Sequence, residues 1–154
     1  MTARLAIAAL AMITIVLPLD ANPAPDQLFG CSISTSGVAF GTYSVFNTSP
    51  TDSTGTVFYQ CTLGVLVRVE LNRGSSSTFD PRTLRNGAQV LNYNLYLDTN
   101  HTTIWGDGTG TTGRISHVAI PLFQYSATVF GRLPAQQDVG TGPYSDSVTA
   151  TIIF

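Results

Sequence analysis

Lysine is absent from this chain of 154 residues, and charged side chains of any kind make up only 10% of it. All seven basic residues are arginines, and the formal net charge is −2. Nucleic-acid binding rests on clustered Lys and Arg that neutralise phosphates, so this composition excludes it. Ser, Thr, Asn, Gln and Gly must cover the surface instead. Histidine is scarce too, with only His101 and His117. A hydrolase needs a nucleophile with a base in reach, and neither histidine sits in a recognisable motif, so no catalysis is expected. Asp98, Asn100 and Asp107 hint at calcium, but the twelfth position from Asp98 is Thr109, where a calcium loop needs Glu. The glycines at 106, 108, 110 and 113 resemble a phosphate loop in composition alone, since no lysine accompanies them. No cofactor and no metal are expected.

Long apolar runs are missing with one exception. Arg4 is followed by an apolar stretch from Leu5 to Leu19 that Pro18 and Asp20 close. At about 15 residues it falls short of the ~20 a spanning helix needs, and it reads as a secretory signal peptide. Residues 1–21 are the expected leader, cut after Ala21, and residues 22–154 the expected mature domain, with no membrane span. Within the leader Ile13, Ile15, Leu17 and Leu19 alternate, and a cut at Ala9-x-Ala11 would expose them as a strand. That cut leaves a signal of about 11 residues, too short for ordinary export.

Only two cysteines are present, Cys31 and Cys61. In an oxidising compartment a disulfide is the default for such a pair, and closing a loop of about 30 residues contributes roughly 3.5 kcal/mol.

From Cys31 onward apolar and polar positions alternate, broken at short intervals by turn residues, with no helical period. Candidate strands are 32–40, 56–62, 65–72, 90–98, 115–122, 127–133 and 144–154, which predicts an all-β sandwich of about seven strands. Val65, Val67, Val69 and Leu71 share one face, and Leu91, Tyr93, Leu95 and Leu97 another. The final strand places Val148, Ala150, Ile152 and Phe154 on one side, apolar to its last residue. No later segment covers that strand, so an exposed edge over the core is expected, to be filled by something else. Internal pairing of a merely terminal strand is the alternative.

These features converge on a known pattern. Phe40-Gly41-x-Tyr43, Gly55-Thr56-Val57 leading to Cys61-Thr62, Arg82-Thr83-Leu84 and Tyr93-Asn94-Leu95-Tyr96 come first. Trp105-Gly106-Asp107-Gly108, Gly131-Arg132-Leu133-Pro134-Ala135-Gln136 and Gly142-x-Tyr144-x-Asp146-x-Val148 follow, behind Cys31 near the mature start. In order and spacing the chain from Phe29 to Phe154 resembles the spore coat protein U family, which includes secreted pilins of archaic chaperone-usher pili. The resemblance implies an incomplete immunoglobulin-like, pilin-type sandwich whose last strand is supplied in trans. A periplasmic chaperone would supply it first, then a neighbouring pilin subunit at an outer-membrane usher, with adhesion and biofilm formation as the outcome. It also carries the Cys31–Cys61 pairing over, and it places the protein outside the cell after passage through the periplasm.

One departure stands out. A shaft subunit must present an N-terminal donor strand of ten or more alternating residues, yet Asn22 to Gly30 is shorter and holds Pro23 and Pro25, which cannot donate to a ladder. A terminal position, or a role outside a fibre, fits better. Rival readings are a self-complete coat or matrix protein, with Leu28 to Gly30 or another segment covering the edge, and a secreted ligand-binding adhesin. For the latter, Ile104 and Trp105 form a possible exposed apolar contact, although Trp105 packing on the sandwich edge is the simpler expectation.

Overall fold

The computed structural model describes residues 10–14 and 29–154. Eleven strands run through them in chain order: β1 (Leu10–Thr14), β2 (Cys31–Ser36), β3 (Val38–Thr42), β4 (Thr51–Cys61), β5 (Leu66–Leu71) and β6 (Arg82–Asn86). The rest are β7 (Gln89–Tyr96), β8 (Ile115–Val118), β9 (Gln124–Leu133), β10 (Tyr144–Ser147) and β11 (Ala150–Ile153). The fold is all-β, as the alternation predicts, but the expectation of about seven strands is too low.

The surplus has a physical cause, because long predicted strands change partners midway. The segment expected as 32–40 breaks at Gly37 into β2, which pairs with β4, and β3, which pairs with β1. The final segment breaks at Val148 and Thr149 into β10, beside β6 and β1, and β11, beside β5. Strand β7 stays continuous but pairs with β6 through Gln89–Tyr93 and with β9 through Asn94–Tyr96. Strands that switch sheets in this way make the corners of a sandwich. Two further strands stand outside the seven: β6, which is short and polar, and β1, which lies in the predicted leader and overlaps at Ile13 the alternation noted there.

Eight strands form one sheet in the order β2-β4-β9-β7-β6-β10-β1-β3, and β11-β5-β8 form another. Strands β2 and β3 stand at opposite ends of the larger sheet although only Gly37 separates them in sequence, so that sheet is rolled up. Alternation fills the interior. Val67, Val69 and Leu71 of β5, Leu91, Tyr93 and Leu95 of β7, and Val57, Val129 and Leu133 of β4 and β9 are all buried. Each such side chain contributes roughly 1.5–3 kcal/mol through loss of water contact.

Candidate functional site: a strand slot between β3 and β10

Strands β3 and β10 turn their edges toward one another, and β1 lies between them. Its backbone runs parallel to β10, with Ala11 opposite Tyr144 and Thr14 opposite Ser147. It runs antiparallel to β3, with Leu10 opposite Thr42 and Ile13 opposite Val38. The register shifts between Ala11 and Met12, where β3 bulges at Phe40 and Gly41, and Gly41 takes a φ of +70°, a conformation that suits glycine. Strand β1 is the sole strand partner of β3 among the described residues, and β10 otherwise pairs in register with β6 only at Ser145–Arg85. A strand in this slot therefore supplies the ladder pairing of β3, which otherwise packs on β4 and β9 through its side chains.

The walls of the slot are built from buried side chains. Val38 and Phe40 of β3 point into the core, and two glycines make room for them. A methyl group on Gly131 would stand 2.8 Å from both Val38 Cγ1 and Phe40 Cζ, and one on Gly55 would stand 2.8 Å from Val38 Cγ2. Across the slot, Tyr144 and Asp146 of β10 are buried while Ser145 and Ser147 face out. Asp146 accepts hydrogen bonds from Ser75 N and Oγ at 2.8 Å each, from Tyr93 Oη at 2.6 Å and from Ser147 N at 2.9 Å. Burial, followed by the Asp146 charge, holds the Tyr93 phenol well above its ordinary pKa.

A second polar centre lies behind the first. Arg82 is fully buried. It donates from Nε and Nη2 to Asn72 O at 3.0 and 2.8 Å, from Nη1 to Asn94 Oδ1 at 2.9 Å, and from Nη2 to Trp105 O at 2.6 Å. Burial lowers its pKa to about 10. Asn72 also receives Thr149 N on Oδ1 at 2.9 Å and donates its own N to Thr149 O, which pins the step from β10 to β11. Sequence reasoning passed over Arg82, Asn94 and Asp146 as core residues although all three lie in the quoted motifs. Arg82 with Leu84, and Tyr144 with Asp146 and Val148, share inward faces by simple alternation, and that signal was available.

Beyond the slot the same two chain segments continue as β2 and β11. These approach each other but belong to different sheets, and among the described residues neither has a strand partner on the facing side. Cys31, Ile33, Val65 and Ile152 are partly buried along this seam. It ends in a small pocket of about 60 Å³ lined by Phe29, Cys31, Leu63, Val65 and Phe154.

The predicted edge residues thus divide. Val148 and Ala150 are buried in the core, Ile152 is half-buried at the seam, and Phe154 is 62% exposed at its end. Strand β11 pairs through Ala150–Ile153 with Leu71–Arg68 of β5. Cys31 and Cys61 stand opposite one another in β2 and β4 and are joined by a disulfide. Trp105 is not an exposed contact. It is fully buried, its Nε1 donates to Val69 O at 3.1 Å and its backbone N to Leu95 O at 2.9 Å, while Ile104 is half-buried. The side chain of His101, in the loop after β7, is also largely enclosed, between the rings of Tyr96 and Phe130. His117 bonds Tyr59 Oη at 2.8 Å. The leader residues Ile15, Leu17 and Leu19, the cut after Ala21, and Pro23, Pro25 and Leu28 lie outside the described residues.

The exposed apolar side chains gather elsewhere. Leu63, Leu66, Val118, Ile120, Leu122 and Phe123 are all exposed. They meet where the turn after β8 folds over the β4–β5 loop: Leu66 pairs with Val118, and Leu122 N donates to Cys61 O at 2.8 Å. Among the described residues no cluster of three His, Cys, Asp or Glu side chains is placed to hold a metal, and no helix is long and apolar enough to cross a membrane.

Comparison with known proteins bears on this architecture. Residues 18–151 match the Spore Coat Protein U domain. Protein U of Myxococcus xanthus is 30% identical over 177 aligned residues, covering 99% of this chain and 97% of that protein. Among solved structures, a chain in the CsuC–CsuE chaperone–tip adhesion subunit pre-assembly complex, from archaic chaperone-usher Csu pili of Acinetobacter baumannii, superposes with a TM-score of 0.58 at 24% identity. The likeness covers 82% of this chain and 40% of that one, and at this identity it concerns the fold.

Proposed function

This chain belongs to the Spore Coat Protein U family, and from that premise we propose that it is a non-catalytic structural subunit of an extracellular fibre, assembled by donor-strand complementation. One observation carries the reading: β3 owes its only strand pairing among the described residues to a segment of the expected export leader. Once the leader, residues 1–21, is removed, the mature domain, residues 22–154, presents an open slot between β3 and β10. Main-chain hydrogen bonds to two facing edges supply affinity, and alternate side chains set register; strand addition of this kind, pilin complementation included, is an established recognition mode. A periplasmic chaperone fills the slot in transit, and a strand from a neighbouring subunit replaces it at the outer-membrane usher. The seam lined by Ile33 and Ile152 lengthens the track such a strand can follow.

The short segment from Asn22 to Gly30, with its two prolines, favours a fibre terminus, or a role outside a fibre, over a place in the shaft. Adhesion, and biofilm formation with it, then falls to an exposed surface. The apolar pole around Leu122 and Phe123 supports this role better than the Trp105 loop, because residues 29–36, 58–66, 115–127 and 148–154 contain no Asp, Glu, Lys or Arg.

Purification of the tagged protein from its native periplasm tests the proposal. The expected result is a chain beginning at Asn22, bound one to one to a second protein and released by Ile152→Asp. A stable, partner-free monomer would instead support a self-complete coat or matrix protein.

A further inference from the structure

We infer that the leader is the first occupant of the slot: in any molecule that folds before the leader is cut, Leu10–Thr14 closes the strand-accepting site of its own chain. The inference rests on the reading of the slot as a strand acceptor, and it adds a named intramolecular ligand and a consequence. While the leader is attached the chain is self-complete, monomeric and closed to other strands; removing it opens the site.

Three observations carry this. First, β1 is paired on both sides, so it fills an interior position and does not merely extend an edge. Second, its register accommodates the bulge that β3 makes at Phe40 and Gly41, so the two strands fit in a defined alignment. Third, β3 has no other strand partner among the described residues, so the state of the slot is read directly in the backbone of Val38–Thr42. A central strand has partners for its amides on both sides, and a proline there removes a donor and clashes with the ladder.

The test uses the full chain with its leader retained, folded under oxidising conditions, and follows amide hydrogen exchange with size-exclusion light scattering. The parent chain should be a monomer with slow exchange at Val38–Thr42 and Tyr144–Ser147. In Ile13→Pro, exchange at Val38–Thr42 should accelerate by more than about 100-fold while β4 and β9 stay protected, and Ile13→Val should match the parent. Equal protection in Ile13→Pro and the parent overturns the inference. Should the proline variant precipitate, Met12→Cys combined with Ala39→Cys gives a second answer. These positions are paired, so a new disulfide should form in most molecules, and its absence also overturns the inference. A synthetic peptide of residues 5–19 offered to the exported chain separates the two levels. An exported chain that keeps β3 protected alone and takes up no strand defeats the fibre reading. One that accepts a strand from another protein but not this peptide defeats only the leader inference.

Discussion

Tyr93 donates its hydroxyl to Asp146 across 2.6 Å, joining the strand at the centre of the rolled sheet to the strand that walls the slot. Both residues are almost completely buried. A buried carboxylate persists only when its lone pairs are occupied, and Ser75 and Ser147 supply the other donors. Tyr93→Phe should therefore lower stability by about 2 kcal/mol, and Asp146→Ala, which strands several donors at once, by more than about 3 kcal/mol. Urea unfolding followed by fluorescence measures both.

The two best-bonded arginines should behave oppositely. Arg82 is buried and holds Asn72, Asn94 and Trp105 together, whereas Arg132 makes a bidentate pair with Asp52 at 2.7 Å on the surface. Arg82→Met leaves buried carbonyls unpaired and should cost about 3–5 kcal/mol. Arg132→Ala should cost less than about 1 kcal/mol, since water and salt screen an exposed pair. Parallel denaturation curves of the two variants check the contrast.

Alkaline pH should destabilise the fold. Burial raises the pKa of Tyr59, Tyr93, Tyr96 and Tyr144 above the ordinary value of 10.0. A group with a raised folded pKa contributes stability that is complete below its unfolded pKa and is lost as pH climbs above it. Arg82 works the other way: with its pKa lowered to about 10, the penalty for burying its charge is relieved as pH rises from there toward its unfolded value. Melting temperatures measured across this range should hold steady below about pH 9 and fall above about pH 10. Tyr93→Phe should flatten that fall, and a profile unchanged by the substitution would contradict the assignment.

Gly131 should tolerate no side chain. Its missing Cβ is the space that Val38 and Phe40 occupy, so Gly131→Ala must push β3 outward at a cost of about 1–3 kcal/mol. Exchange at Val38–Thr42 should rise more than exchange at β4, which identifies the slot wall as the part that yields.

How much of this was legible in the sequence depends on what alternation can express. Period two found the inward faces of β5 and β7 and the all-β class, because each of those strands keeps one side in the core. It could not see where a strand changes sheets, since Gly37 and Val148-Thr149 interrupt pairing without interrupting the pattern. For the same reason Asn94, buried beside buried Tyr93 and Leu95 at the switch in β7, read as a solvent position. Alternation points to an edge along Val148, Ala150, Ile152 and Phe154, the most apolar part of the final strand. The occupied slot lies one segment earlier, at the more polar Tyr144–Ser147, because the inward Asp146 hides its burial behind a private set of donors. The apolar run before Asp20 reads as an export leader, and its capacity to form a strand shows only in the alternation from Ile13 to Leu19, of which β1 reaches Ile13. Trp105 packs against the sandwich, as the simpler expectation has it, but its glycine-rich neighbours give no sign that its indole reaches Val69.

On the proposed function the exported domain lacks a strand of its own between β3 and β10. Native mass spectrometry combined with hydrogen exchange, on protein taken directly from the periplasm, tests it most directly. The expected result is a chain starting at Asn22, held one to one by a second polypeptide, with Val38–Thr42 protected only while that partner is bound. A lone chain starting at Asn22 with the same five residues fully protected would contradict it.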